Sequence, residues 1–156
     1  MKARVRTVRR LLRSKAGERG SSAIELAILA PALLILTMIV IQFALWFQAR
    51  QAALASAQDG ARIAREFAFT EQGTWQNLAT ARAQSYYAGL GTKILSGVTA
   101  TPVGPQPGPG GAPLVGVTVT GKLNSLLNAF GGITVTVTVE GPEECFHPLN
   151  EPDTCG

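Results

Sequence analysis

The sequence predicts an α+β protein built on one long N-terminal helix, and three observations predict it. Residues 26–47 contain no charged side chain. Residues 48–69 contain no proline and are rich in Ala, Gln and Arg. Residues 114–120 and 133–139 alternate β-branched aliphatics with Thr or Gly. At ~1.5 Å per residue the uncharged run measures about 33 Å as a helix, enough to cross a hydrocarbon layer of roughly 30 Å. The expected architecture is a transmembrane helix that extends into an amphipathic helix, a second short helix, and a small antiparallel sheet of two or three strands.

The charges are segregated. Of the 14 basic residues, eight (Lys2, Arg4, Arg6, Arg9, Arg10, Arg13, Lys15 and Arg19) lie in the first 19 positions, with Glu18 the sole acid among them. Residues 21–156 then carry six basic and nine acidic residues. The high isoelectric point therefore belongs to a short leader and not to a nucleic-acid-binding surface. Only Arg50, Arg62 and Arg65 follow the apolar run closely, so the positive-inside bias puts the leader in the cytoplasm and the rest of the chain outside it.

Beyond the apolar run the helix has no reason to stop. Ala53, Ala57, Ala61, Ala64 and Phe67 fall on one stripe, while Arg50, Gln51, Gln58, Arg62, Arg65 and Glu66 mostly lie elsewhere on the wheel. One helix is expected from about Ser22 to Phe69, with Gly60 a locally unfavourable residue. Gly73 breaks it, and Thr74 is placed to cap a second helix over 75–88 that ends at Gly89 and Gly91.

After Gly91 the period changes to two. Val115, Val117 and Val119 share one face of a strand, and Ile133, Val135, Val137 and Val139 share one face of another. Residues 94–103 form a weaker third strand. In residues 102–113, nine of twelve are Pro or Gly, which predicts a loop. The connection 121–132 has room for a helical turn. The expected organisation is thus a leader (1–20), a membrane helix (21–47), an extracytoplasmic helical region (48–91), a β-rich region (92–140) and an acidic tail (141–156). Cys145 and Cys155 sit in that tail. Outside the cytoplasm oxidation is permitted, and the two are expected to pair rather than remain separate thiols. His147 reads as an exposed residue rather than a ligand.

The junction between leader and span carries the functional signal. Gly20 ends the leader, small residues follow, and Glu25 stands alone at the start of the span, where an unpaired carboxylate is unfavourable. A cut after Gly20 would make Ser21 an N-terminal ammonium one helical turn from Glu25, whose charge it would offset. Uncut, Glu25 reads as an ordinary acid at a helix start. At these residues the chain resembles the class III signal of type IV pilin-like proteins, and more closely the TadE family of minor pseudopilins of the tight-adherence (Flp) pilus system. Arg19-Gly20, residues 21–24, Glu25 and Pro31 match that family's opening in order. The likeness extends through Ala57, Gly60, Ala61 and Arg62, and loosely to the Val/Thr strands. Leu26 stands where major Flp pilins carry Tyr, which argues against a major filament subunit.

The resemblance implies a structural role in pilus assembly or adhesion. It implies cleavage between Gly20 and Ser21 by a membrane-embedded prepilin peptidase, assembly through Glu25, and partners among pilin-like subunits and the tight-adherence secretion machinery. A Gly before the cut suits a peptidase that approaches the backbone closely. Neither cofactor, metal, nucleic acid nor small-molecule substrate is implied. Two alternatives remain open in the sequence. An uncleaved single-pass anchor would present a small binding domain. An ordinary secreted protein would be cut at 53–55 or 55–57, but its 22-residue apolar run exceeds the 7–15 residues usual for such signals. No phosphate loop, HExxH or GxSxG occurs, and Glu143–Glu144 and Glu66 with Glu71 read as solvated acids, so no enzyme is expected.

Overall fold

The computed structural model describes residues 2–124 and 132–144. In chain order it contains α1 (Lys2–Phe67), α2 (Trp75–Gly89), β1 (Leu95–Gln106), a 3-10 turn (Pro109–Gly111), β2 (Leu114–Leu123) and β3 (Thr134–Pro142). The α+β class and the three-stranded antiparallel sheet follow the sequence reading. The chain divides into two compact units, Met1–Ile41 and Gln42–Gly156, with α1 contributing to both.

The first unit is helix alone. It begins at Lys2 and not near Ser22, because the leader is made largely of Arg, Lys, Leu and Ala, all good helix formers, and contains no proline. Pro31 lies inside the helix, where it withholds one backbone donor. From Ile24 to Ile41 the large apolar side chains are exposed, including Ile24, Ile28 and Leu34 at about two-thirds. Each such side chain gains roughly 1.5–3 kcal/mol on leaving water. This stretch of helix, apolar all round, is made for an apolar solvent.

The second unit is two layers, with α1 and α2 against one face of the sheet. The buried core joins Ala49, Ala53, Ala57, Ala64 and Ala68 of α1 to Trp75, Ala79, Ala83 and Tyr87 of α2, and to Leu95, Val115, Val117, Val119, Leu123 and Val135 of the sheet. The expected alanine stripe is therefore the core stripe, with Phe67 half-buried at its end. Gly60 belongs to it. A Cβ there would stand 2.8 Å from Ala83 Cβ, 2.9 Å from the Ala79 carbonyl oxygen and 3.2 Å from a Val117 methyl. The residue that weakens the helix locally is the one that lets α1, α2 and β2 meet. One turn before it, buried Ser56 donates to the Ala83 carbonyl at 2.5 Å. On the exposed side of the same crossing, Arg82 bonds Asp59 at 2.6 Å.

α2 starts as expected, but not by capping. Thr74 is in helical conformation, and its hydroxyl donates to a Glu71 carboxylate oxygen at 3.0 Å. At the far end, the buried Tyr87 hydroxyl accepts from Leu95 N–H at 2.9 Å and donates to the Leu95 carbonyl at 3.1 Å, pinning α2 to the start of β1.

In the sheet, β2 is central. Thr101, Thr118 and Thr138 lie in one row, and Thr99, Thr120 and Thr136 in the next. The Thr118 and Thr138 hydroxyls bond at 2.8 Å, so the outer face is a threonine ladder, and the valines opposite form the core. The segment expected as a loop from residue 102 is strand as far as Gln106. Proline is tolerated there because β1 is an edge strand, one row of whose backbone groups lies outside the ladder. Register shifts fall between Ser96 and Thr99 and between Val103 and Gln106. Gly104, within the second shift, has φ +90°, and a Cβ on it would collide with the Leu114 carbonyl oxygen. The composition signalled irregular backbone, and the irregularity is absorbed as a bulge in an edge strand.

Gly60→Val is expected to lower stability by about 1–3 kcal/mol, because neither the Ala83 Cβ nor the Ala79 backbone can yield. Thermal unfolding of the full chain in detergent measures it. An unchanged midpoint would show that α1 and α2 do not approach as described.

Candidate processing junction and membrane-anchoring segment

The junction residues lie on α1. Gly20 and Ser21 are consecutive residues of continuous helix. Helical spacing places Ser21 and Glu25 one turn apart, about 6 Å along the axis, and Glu25 is exposed. A peptidase reads extended backbone, so the helix must open at the junction for a cut there. The sequence makes that opening easy. Gly17 and Gly20 each weaken a helix by about 1 kcal/mol relative to Ala, and Ser21 and Ser22 weaken it further. Helix is cheapest to unwind where cleavage is expected.

Beyond Glu25 the charge-free stretch runs to the first residues of the second unit. Among the described residues one helix, within Ala23–Phe67, is long and apolar enough to cross a membrane. Within it the Thr37 hydroxyl donates to the Leu33 carbonyl at 2.8 Å, so its polar group is satisfied internally.

At the far end of the stretch stands an aromatic cluster that the sequence reading passed over. Phe43 and Trp46 lie with ring centroids 5.8 Å apart, and the Arg50 guanidinium sits 5.8 Å from the Trp46 ring centroid. Phe43 and Phe47 are exposed, while one side of Trp46 packs against the core. The signal was available: three aromatics in five residues, then the first charge after Glu25. Aromatic rings of this kind concentrate at membrane–water interfaces. From Glu25 to Trp46 a helix rises about 32 Å at ~1.5 Å per residue, close to one hydrocarbon thickness.

Residues 20–62 match the family described as TadE-like protein. This segment is TadE-like. The match begins at the Gly20–Ser21 junction, takes in Glu25, Pro31 and the aromatic cluster, and ends at Arg62, before α2 and the sheet. No curated protein and no solved structure is found to match the chain. The TadE-like segment supports a role in tight-adherence pilus systems, with pilus-system partners, and its apolar helix supports single-pass membrane anchoring. The family is structural rather than enzymatic.

The remaining sequence expectations sit apart from this segment. Cys145 and Cys155, with His147, lie outside the described residues, as does most of the connection between β2 and β3. The beginning of the acidic tail is described. Arg65 forms an ion pair with Glu144, whose N–H donates to the Arg65 carbonyl at 3.0 Å, while Glu143 N–H donates to the Pro113 carbonyl at 2.9 Å. The Glu144 bonds attach the end of β3 to the end of α1, and the Glu143 bond attaches it to the residue before β2. A cavity of about 530 Å³ beside them is lined by Gln72, Trp75, Gln76, Pro105, Pro113 and Glu143. Glu143 is the one titratable group in that lining, so the cavity offers no acid–base pair.

Proposed function

We propose that the protein is a minor pseudopilin of a tight-adherence pilus. A prepilin peptidase cuts it between Gly20 and Ser21, and it acts structurally in pilus assembly or adhesion. The observation that carries this reading is the TadE-like match, which starts at the junction itself and continues through a lone carboxylate into an exposed apolar helix. In this reading residues 1–20 stay in the cytoplasm, residues 21–47 cross the membrane, and the second unit lies outside. Membrane lipid, the peptidase, other pilin-like subunits and the secretion machinery are its partners.

Cleavage is the deciding step. Gly20→Val puts a branched side chain against the scissile bond and stiffens a helix that must open, so processing is expected to be nearly abolished. Gly20→Ala is expected to slow it. Immunoblotting resolves the slower-migrating precursor, and N-terminal sequencing identifies the new end. A start at Ser21 is expected. Retention of Met1 in the wild-type chain would instead favour an uncleaved single-pass anchor presenting the β-rich unit.

Glu25 separates processing from assembly. In the isolated subunit it is exposed, and water screens any attraction to the Ser21 ammonium. When apolar helices bundle and water is excluded, leaving either charge without its partner becomes far more costly. Glu25→Gln keeps the size of the side chain and removes its charge. It is expected to leave cleavage and membrane retention intact and to impair co-purification with pilus subunits and piliation. Glu25→Asp is expected to fall between, being one methylene short. Wild-type assembly of the Gln variant would rule out the amine–carboxylate role.

The tail extends the same reading. Cys145 and Cys155 form a disulfide in the exported protein. Closing so short a loop contributes on the order of 2–3 kcal/mol by the chain-entropy estimate. Alkylation without reductant is expected to label neither thiol, and labelling of both would remove the bridge. Replacement of either by Ser is expected to lower stability without altering cleavage.

A further inference from the structure

The charges of the second unit are sorted end from end. α1 and α2 run antiparallel, since Ser56 bonds Ala83 and Gly60 touches Ala79 and Ala83. Residues before Ser56 on α1 therefore lie alongside residues after Ala83 on α2. Tyr87 bonds Leu95, which pairs with Leu123, so the start of β1 and the end of β2 lie at this end, and Trp46 precedes Ser56 on α1. The Asn124 side-chain amide donates to the Lys93 carbonyl at 2.6 Å, and Ser96 pairs with Lys122, which fixes both lysines there. Arg50, Lys93 and Lys122 are all exposed. Among the described residues no acid of this unit lies at this end. The acids Glu66, Glu71, Glu140, Glu143 and Glu144 lie at the opposite end, with the end of α1 and the start of β2, where they outnumber the two cations Arg62 and Arg65, and Asp59 is taken up midway by Arg82.

The basic end is also the end at which the chain enters the unit from its apolar run. It is apolar as well as basic: Phe47 is half exposed, Leu90 is 40% exposed, and Tyr86 is 37% exposed. Ala49 is fully buried three residues after Trp46, so no linker separates the interfacial aromatics from the folded core. Cations interleaved with aromatic and aliphatic side chains, beside the end of a membrane-length helix, match the chemistry of a phospholipid headgroup layer, with phosphate outside and acyl carbon beneath.

We propose that this end of the second unit is a docking surface for an anionic phospholipid bilayer. Arg50, Lys93 and Lys122 meet lipid phosphates, and Phe47, Leu90 and Tyr86 enter the headgroup boundary. The unit then rests on the membrane with its acidic end turned away, presenting that end to whatever it meets outside. The proposal rests on the reading that α1 spans the bilayer, and it goes beyond that reading, because a spanning helix alone does not say which side chains of the second unit meet the lipid.

The test uses the full chain with Cys145→Ser and Cys155→Ser, reconstituted in vesicles of phosphatidylcholine with or without phosphatidylglycerol. A spin label is placed at Leu90→Cys or, at the opposite end, at Thr70→Cys. Alkaline carbonate extraction is run in parallel. With phosphatidylglycerol, the label at 90 is expected to be relaxed by oxygen more than by an aqueous nickel chelate, and the label at 70 the reverse. Each cation near an anionic surface is worth about fivefold in the docking equilibrium. Lys93→Glu with Lys122→Glu is therefore expected to lower the docked-to-undocked ratio at least 25-fold, as two such factors, and phosphatidylcholine alone to weaken docking similarly. Both lysines are exposed, so the fold is retained. A chain kept by the vesicles but with position 90 as aqueous as position 70 overturns the docking surface alone. A chain stripped by carbonate overturns the span and the docking with it.

Discussion

The constraint on which the rest depends is that α1 must satisfy two solvents along one axis. Over its apolar stretch it exposes Ile, Leu and Phe in every direction, which favours an apolar environment over water. From Ala49 onward it must bury one side against protein, and there bulky side chains would hold the layers apart. The change from large to small residues on that side occurs within one turn after Trp46. Ala49, Ala53, Ala57, Gly60, Ala61 and Ala64 then let the backbone of α1 approach α2 and β2 closely.

A core lined by alanines buries little area per residue, so the unit relies on interactions that fix its parts at few points. Ser56 bonds the Ala83 carbonyl, the Tyr87 hydroxyl satisfies both backbone groups of Leu95, and Arg65 with Glu144 holds the end of β3 to the end of α1. The first joins the two helices at their crossing, and the other two join the helical layer to the sheet at either end. The sheet adds Val115, Val117 and Val119, all fully buried, and α2 adds the larger Trp75 and Tyr87. Its outer threonine ladder is polar and uncharged, while most described charges of the unit lie toward its two ends and Asp59 pairs with Arg82 between them.

The same axis orders the functional reading. The weak helical residues at the junction, the lone Glu25, the apolar stretch, and the aromatic cluster with Arg50 follow one another along the TadE-like segment. The candidate junction, the apolar stretch and the aromatic cluster thus follow one another along α1.

The sequence by itself determined every element whose pattern is local. The uncharged run, the period of the alanine stripe and the Val/Thr alternation are each legible because exposure to lipid, helix or sheet imposes its own spacing on adjacent residues. The junction motif was legible for a related reason: a glycine, small residues and a lone carboxylate at fixed spacing are recognisable without a fold. Only the tertiary structure decided the rest. Gly60 reads as a flaw until Ala83 and Val117 are placed beside it. Residues 102–106 read as a loop until β2 offers them an edge. Thr74 reads as a cap until Glu71 accepts its hydroxyl. Arg50, Lys93 and Lys122, far apart in the chain, come to the same end of the unit only through the antiparallel packing of α1 on α2 and the pairing of β1 with β2. Such contacts join residues separated by tens of positions, and no local periodicity encodes which distant backbone will arrive.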